Sequence, residues 1–116
     1  MNSAAEMLAA HSMIRPGDTP VERIAEAGGL YFRSVLLRDA GMVIPQHTHD
    51  HDHATLVCSG SARGWCDGKL MGDKSRGEAF EVLAGHQHIF ESLEPMTMLT
   101  CVHDIDSTLS IARKGL

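Results

Sequence analysis

The amino-acid sequence predicts an all-β fold, a sandwich or barrel of short antiparallel strands. From Leu30 onward, short runs rich in aromatic and β-branched residues alternate with glycine-containing turns. The dipeptide Asp67-Gly68 between two such runs is the strongest hairpin signal in the chain. A chain of 116 residues, of which 43% are hydrophobic, is typical of one domain with one apolar core.

The sequence also predicts where that domain begins. Residues 1–20 are expected to form an N-terminal segment, in which the helix formers of residues 1–13 favour a short helix that is marginal on its own. Residues 21–116 are expected to form the single β-barrel domain. Thr19-Pro20-Val21-Glu22 is typical of the start of a helix. The residues that follow favour instead a strand from Val21 to Glu26 that turns at Gly28-Gly29.

Each later predicted strand is short and is bounded by turn-forming residues. A series of such strands is typical of a sandwich or barrel. The predicted strands are Leu30–Arg38, a strand that ends at His49, a strand that starts near His53, Ala62–Cys66, Lys69–Met71, Glu78–Leu83, His88–Leu93 and Met96–His103.

Composition argues against two classes of partner. The net charge is −5, and the ten Lys and Arg residues are scattered, whereas a nucleic-acid surface needs clustered positive charge. No apolar run is long enough to cross a bilayer, and the first residues lack the features of a signal peptide. A cytoplasmic protein is expected. Its three cysteines, Cys58, Cys66 and Cys101, show no CxxC spacing and are expected to be buried small apolar residues in a reducing compartment, unless one of them borders a ligand pocket.

Four of the eight histidines stand at alternate positions, at residues 47, 49, 51 and 53. Neutral imidazole is the commonest side-chain metal ligand, and residues i and i+2 of a strand share a face, so His47 and His49 can bind one ion. In a straight strand His47 and His53 would lie about 20 Å apart, too far to share an ion. The chain is therefore expected to turn between His49 and His53, where Asp50 and Asp52 are suitable turn residues.

The stretch around these histidines resembles the first sequence motif of the cupins. Gly41 is followed after five residues by His47-Thr48-His49, after three more by His53 and after six more by Gly60. All of these spacings fit the motif. His53 stands where the family has glutamate.

A second stretch resembles the other cupin motif. Gly77 is followed after five residues by Leu83-Ala84-Gly85, after two more by His88 and after three more by Ser92. The family has proline at the position of Leu83 and asparagine at that of Ser92, but both glycines and the histidine are in place. The sixteen residues between Gly60 and Gly77 are typical of compact single-domain cupins.

The resemblance implies an antiparallel jelly-roll barrel, or double-stranded β-helix, that holds one divalent transition metal such as Fe, Ni, Zn or Mn. Its implied ligands are His47, His49, His53 and His88, although His53 would also fit as a residue that orients a ligand through a hydrogen bond. Four imidazoles leave a divalent ion at formal +2, against +1 when a carboxylate replaces one of them. A site of that charge is expected to attract an acidic or enolisable small molecule.

The sequence also gives expected positions for the remaining histidines and for the residues that line the pocket. His51 and His86 are expected to be solvated, and His103 to line the pocket or to pair with Asp104. Phe90 is expected to share a face with His88, and Thr55 and Val57 to share one with His53. Further possible pocket walls are Tyr31, Trp65, Phe80, Met98 and Cys101.

Cupins host several activities, so the fold alone does not select a function. The expected function is a non-haem metal-dependent enzyme of the dioxygenase type that acts on a small molecule. Two alternatives stay open: a metal-dependent isomerase or decarboxylase, and a sensor or carrier that binds a small molecule without turnover. A homodimer is plausible, because cupins often dimerise through sheet faces.

Overall fold

A computed structural model describes residues 21–45 and 51–104. The described residues form strands and turns, and they include no helix long and apolar enough to span a membrane. The strands are β1 (Val21–Ala27), β2 (Leu30–Leu37), β3 (Val43–Pro45), β4 (His53–Ser59), β5 (Ser61–Cys66), β6 (Lys69–Ser75), β7 (Ala79–Val82), β8 (His88–Ser92) and β9 (Thr97–Asp104).

The strands form two sheets in which neighbouring strands are antiparallel. The five-stranded sheet has the order β1-β2-β9-β4-β7, and the four-stranded sheet has the order β3-β8-β5-β6. Successive strands repeatedly change sheets, as in a jelly roll. The predicted all-β antiparallel fold is therefore confirmed.

Local signals located several boundaries correctly. The segment after Pro20 is the strand β1 and not a helix, and β1 pairs with β2 across Gly28-Gly29. The hairpin at Asp67-Gly68 joins β5 and β6 as predicted. Strand β4 begins at His53, where the turn predicted from the ligand distances was expected to end. The predicted helix in residues 1–13 and the predicted strand end at His49 lie outside the described residues.

The main core lies between the facing surfaces of the two sheets. Phe80 on β7 and Phe90 on β8 are fully buried, and their ring centroids lie 4.8 Å apart. These rings join the five-stranded sheet to the four-stranded sheet. The other buried members of this core are Val35, Leu37, Met42, Ile44, Val57, Ala62, Val82 and Leu99.

A smaller apolar cluster lies on the opposite face of the four-stranded sheet. It contains Val43, Trp65 and Ile89, all nearly inaccessible to solvent. Trp65 pairs with Ile89, whereas the preceding residue, Gly64, pairs with Phe90 of the main core. Because successive residues of a strand point to opposite faces, Trp65 faces away from the interior between the sheets. Of the possible pocket walls, Trp65 is therefore a core residue of this smaller apolar cluster.

Gly60, the last glycine of the first motif, occupies a position where no other residue fits well. Its φ angle is +71°, and a Cβ added there would lie 2.8 Å from Cα of Thr97 and overlap the side chain of Thr97. We expect Gly60→Ala to lower the free energy of unfolding by about 2–5 kcal/mol, since left-handed backbone strain and overpacking add. Urea denaturation measures this change.

Gly77 provides the matched control for that substitution. Its φ angle is +90°, but no other atom of the described residues lies within 4 Å of an added Cβ. Gly77→Ala is expected to cost only the backbone strain, about 1–2 kcal/mol. Equal losses in the two variants would contradict the role assigned to Thr97.

Candidate metal centre

His53 points to the interior because side chains of strand β4 alternate between its two faces. It is the first residue of β4, and it shares the inward face with Thr55 and Val57, as predicted. Only 7% of His53 is exposed, and its Nδ1 donates a 3.3 Å hydrogen bond to the carbonyl oxygen of Ala54. Its Nε2 atom is fully buried. That bond leaves Nε2 as the nitrogen that carries the lone pair.

His88 has the same arrangement on the opposite sheet. It is the first residue of β8 and shares the inward face with Phe90 of the core, as predicted. Its Nδ1 donates a 3.1 Å hydrogen bond to the carbonyl oxygen of His86. Its Nε2 is fully buried and has no hydrogen-bond partner among the described residues. A buried acceptor without a partner costs about 1–3 kcal/mol, and a metal ion would satisfy it.

The loop before His88 is fastened at two points. The carboxylate of Asp52, which precedes His53, accepts a 2.7 Å hydrogen bond from the backbone N–H of Ala84. The carboxylate of Asp67 accepts a 2.9 Å hydrogen bond from the backbone N–H of Gln87 and also pairs with Nδ1 of His86. These bonds hold residues 83–87 against both β4 and the β5–β6 hairpin. They therefore help to position His88 relative to His53.

The contact with His86 lowers the pKa of the Asp67 carboxyl, with the Gln87 N–H as the second cause. We expect His86→Ala to raise this pKa towards the usual value for aspartate, as measured by carbon-13 NMR titration of the carboxyl. Asp73 is the internal control, because its pKa is lowered mainly by Arg63 and is expected to stay the same. An unchanged Asp67 pKa would contradict the assigned cause.

The direction of that shift gives the direction of its effect on stability. Because the pKa of Asp67 is lower in the folded protein, the ionised carboxylate stabilises the loop at and above the ordinary pKa of aspartate. The contribution is lost as the pH falls through the folded value. Asp67 is exposed, so solvent screening keeps this effect small.

A cluster of histidines lies at the start of β4, against the end of β9. The rings of His53 and His103 have centroids 4.1 Å apart. Nε2 of His51 lies 3.1 Å from Nδ1 of His103, within hydrogen-bonding distance. His51 is half-buried and contacts His103, so it is less solvated than expected. His103 lies beside His53, as one of its two expected placements allowed.

Cys101 belongs to the same cluster. One potential ligand atom from each of His53, Cys101 and His103 lies within 4.8 Å of the other two. Cys101 is buried, which raises the pKa of its thiol, and its Sγ lies 3.6 Å from Oγ1 of Thr55. Cys101 and His103 are two residues apart on β9, so they share the face that His53 and Thr55 present on β4.

Arg33 brings a positive charge to the same face of the sheet. It pairs with Cys101 in the β2–β9 register, and its guanidinium donates a 3.0 Å hydrogen bond to Glu22. That bond is the main reason why the pKa of Arg33 is raised. Tyr31 is also on this face, and its ring centroid lies 5.9 Å from that of His103. The inward face therefore carries cationic and proton-donating groups beside the histidines.

The four predicted ligands differ in what the structure describes of them. His47 and His49 lie outside the described residues. His53 and His88 are both buried on inward faces, one on each sheet. Within the described ranges, the group of ligand atoms that includes His53 also includes Cys101 and His103 but not His88. The prediction that all four histidines share one ion remains a prediction.

A second group of potential ligands lies at the β5–β6 hairpin. Cys66, Asp67 and His86 each place one potential ligand atom within 4.8 Å of the other two. Asp67 and His86 are exposed, as expected for His86, and they already bond to each other. Burial raises the pKa of the Cys66 thiol. The described residues thus contain two groups in which histidine, with cysteine or carboxylate, could hold a metal.

The sequence matches no family model and no curated protein. Solved structures do match. KdgF from Halomonas sp. is 24% identical with a TM-score of 0.61, over 72% of this chain and 76% of that one. An RmlC-like cupin with a double-stranded β-helix fold from Methanocaldococcus jannaschii is 12% identical with a TM-score of 0.63, over 84% and 90%.

A third match is to a larger protein, a variant of oxalate decarboxylase from Bacillus subtilis. It is 18% identical with a TM-score of 0.60, and the alignment covers 75% of this chain but only 26% of that one. All three matches align most of this chain with a TM-score of 0.60 or above, although few residues are identical. The chain has the double-stranded β-helix fold of the cupin superfamily.

Proposed function

We propose that the protein is a metal-dependent enzyme of the dioxygenase type that acts on a small acidic or enolisable molecule. His47, His49 and His88 hold the divalent ion, with His53 as the fourth ligand. A divalent ion bound mainly by neutral imidazoles supplies Lewis acidity and, if it is iron, the ability to react with dioxygen. The residues around it bind and orient the substrate.

The observation that carries this proposal is the environment of His88. Its Nδ1 is fixed by the carbonyl of His86, and its buried Nε2 has no hydrogen-bond partner in the described part of the chain. Metal-binding histidines commonly have one ring nitrogen fixed in this way, which directs the other towards the ion. A histidine that served only to fill the core would be expected to have both nitrogens satisfied.

A cation on the inward face offers a binding group for an acidic substrate. Arg33 lies on the face that carries His103 and Cys101, and its guanidinium is engaged by Glu22. A guanidinium offers five N–H donors in a planar fork that matches a carboxylate. A substrate carboxylate that displaces Glu22 from Arg33 would lie on the face that carries the histidines. One protein with this fold, oxalate decarboxylase, takes its name from a small acid.

Two further side chains favour an enzyme over a sensor or carrier. A site that only binds its ligand does not need groups that transfer protons. His51 is half-buried beside His103, and Tyr31 is close to the same ring. Imidazole and phenol are both suited to general acid–base work.

Metal analysis combined with an oxygen-uptake assay tests the proposal. The protein is expressed in media supplemented with iron, nickel, zinc or manganese, and its metal content per chain is measured. Oxygen uptake by the Fe(II)-loaded protein is then measured with catechols, diketones, thiols and hydroxy acids. We expect bound metal and turnover of at least one acidic or enolisable compound.

Each negative result has a distinct meaning. Absence of bound metal in every medium would overturn the metal site and the enzyme together. Bound metal without oxygen uptake on any compound would overturn the dioxygenase assignment. If those compounds nevertheless bind, a sensor or carrier would take its place, and product formation without oxygen uptake would favour an isomerase or decarboxylase.

A further inference from the structure

The cluster of His53, Cys101 and His103 includes two potential ligands that belong to neither cupin motif. Cys101 and His103 are contributed by β9, the central strand of the five-stranded sheet. Their ligand atoms lie within 4.8 Å of each other and of one on His53. Ligands about 2.0–2.3 Å from a tetrahedral ion lie about 3.5 Å apart, so small side-chain rotations would bring these three into range.

Each member of the cluster has a neighbour that can orient it. The carbonyl of Ala54 accepts the Nδ1 proton of His53. If Nδ1 of His103 donates to Nε2 of His51, the lone pair of His103 is on Nε2. The hydroxyl of Thr55 lies 3.6 Å from the sulfur of Cys101 and can donate to a thiolate there. Such partners are a regular feature of ligands in metal sites.

We infer that Cys101 and His103, together with His53, form a second metal site that takes a thiophilic divalent ion of the zinc type. Binding forms one metal–sulfur and two metal–nitrogen bonds, and the thiol proton of Cys101 leaves to solvent. One position of a tetrahedral ion stays open for water or another small ligand. Thiolate favours zinc over manganese at such a site.

The second site has a consequence for His53. The lone pair on its Nε2 can bind only one ion at a time. When the second site is filled, the first ion is held by His47, His49 and His88 alone. The two sites are therefore distinguishable by variants that remove a ligand from only one of them.

X-ray absorption of the zinc-loaded wild-type protein tests the inference without any substitution. Zinc in the second site should show a sulfur neighbour at about 2.3 Å together with nitrogen neighbours at about 2.0–2.1 Å. A spectrum with only nitrogen and oxygen neighbours would overturn the inference and leave the proposed function intact. A protein that binds no zinc, iron or other tested metal would overturn both.

Cobalt(II) then assigns the sulfur to a residue. The wild-type protein is expected to show a thiolate-to-cobalt charge-transfer band, and Cys101→Ser is expected to lose it. Cys58→Ser is the matched control, because Cys58 contacts Thr100 through its sulfur and is absent from the cluster. His88→Ala should keep the band. Retention of the band in Cys101→Ser, or its loss in Cys58→Ser, would overturn the assignment.

Discussion

Replacing His88 with alanine is expected to weaken Fe(II) binding at the proposed catalytic site by at least about 100-fold. Loss of a residue that merely orients a ligand typically costs about 10–100-fold in metal affinity, and His88 is proposed to bind the ion directly. Anaerobic titration with Fe(II) measures the change. Carrying out the comparison in the Cys101→Ser background removes the thiolate and so keeps the inferred second site out of the measurement.

Gln87→Ala is the matched control for this experiment. Gln87 directly precedes His88 and is exposed, and its bonds to Asp67 are made by its backbone N–H and carbonyl. Its alanine variant keeps both groups and should bind Fe(II) nearly as well as the parent. His51→Ala is less suitable, because His51 contacts the histidine cluster. Similar affinities for His88→Ala and the parent, with both folded by circular dichroism, would remove His88 from the metal site.

Much of the fold could be predicted because its signals are local. The turn at Asp67-Gly68 needs only two residues to be recognised, and the strands beside it need only their own composition. The start of β4 at His53 followed from a distance limit, since a straight strand cannot bring His47 and His53 to one ion. The inward position of His88 followed from motif spacing and strand alternation.

The rest depends on strand register, which the sequence does not encode locally. Cys101 and His103 reach His53 only because β9 lies beside β4 in one particular register. Trp65 is an aromatic residue that would suit a pocket wall. Its pairing with Ile89 puts its side chain on the face of the four-stranded sheet that points away from the main core. Asp52 was expected only as a turn residue, but its carboxylate also accepts a hydrogen bond from Ala84, 32 residues away. Such contacts join segments far apart in the chain.

Removing the ring of Phe80 is expected to be among the most destabilising single changes in the described core. Phe80 is 1% exposed, and its ring contacts Phe90 on the other sheet. Phe80→Ala should lower the free energy of unfolding by about 3–5 kcal/mol, because the loss of apolar burial and the cavity both count. Urea denaturation measures this, and the total for a domain is only about 5–15 kcal/mol. Leu70→Ala, at a position 47% exposed, should change it by less than about 0.5 kcal/mol.

Gly64 allows the same packing to be tested from the opposite direction. A Cβ added at Gly64 would lie 2.8 Å from the Phe80 ring and 3.1 Å from the Phe90 ring. In the parent protein Gly64→Ala should therefore cost about 1–3 kcal/mol through overpacking. In the Phe80→Ala background the nearer ring is gone, so the same substitution should cost less or become stabilising. Additive losses in the double variant would mean that the ring of Phe80 does not fill the space beside Gly64.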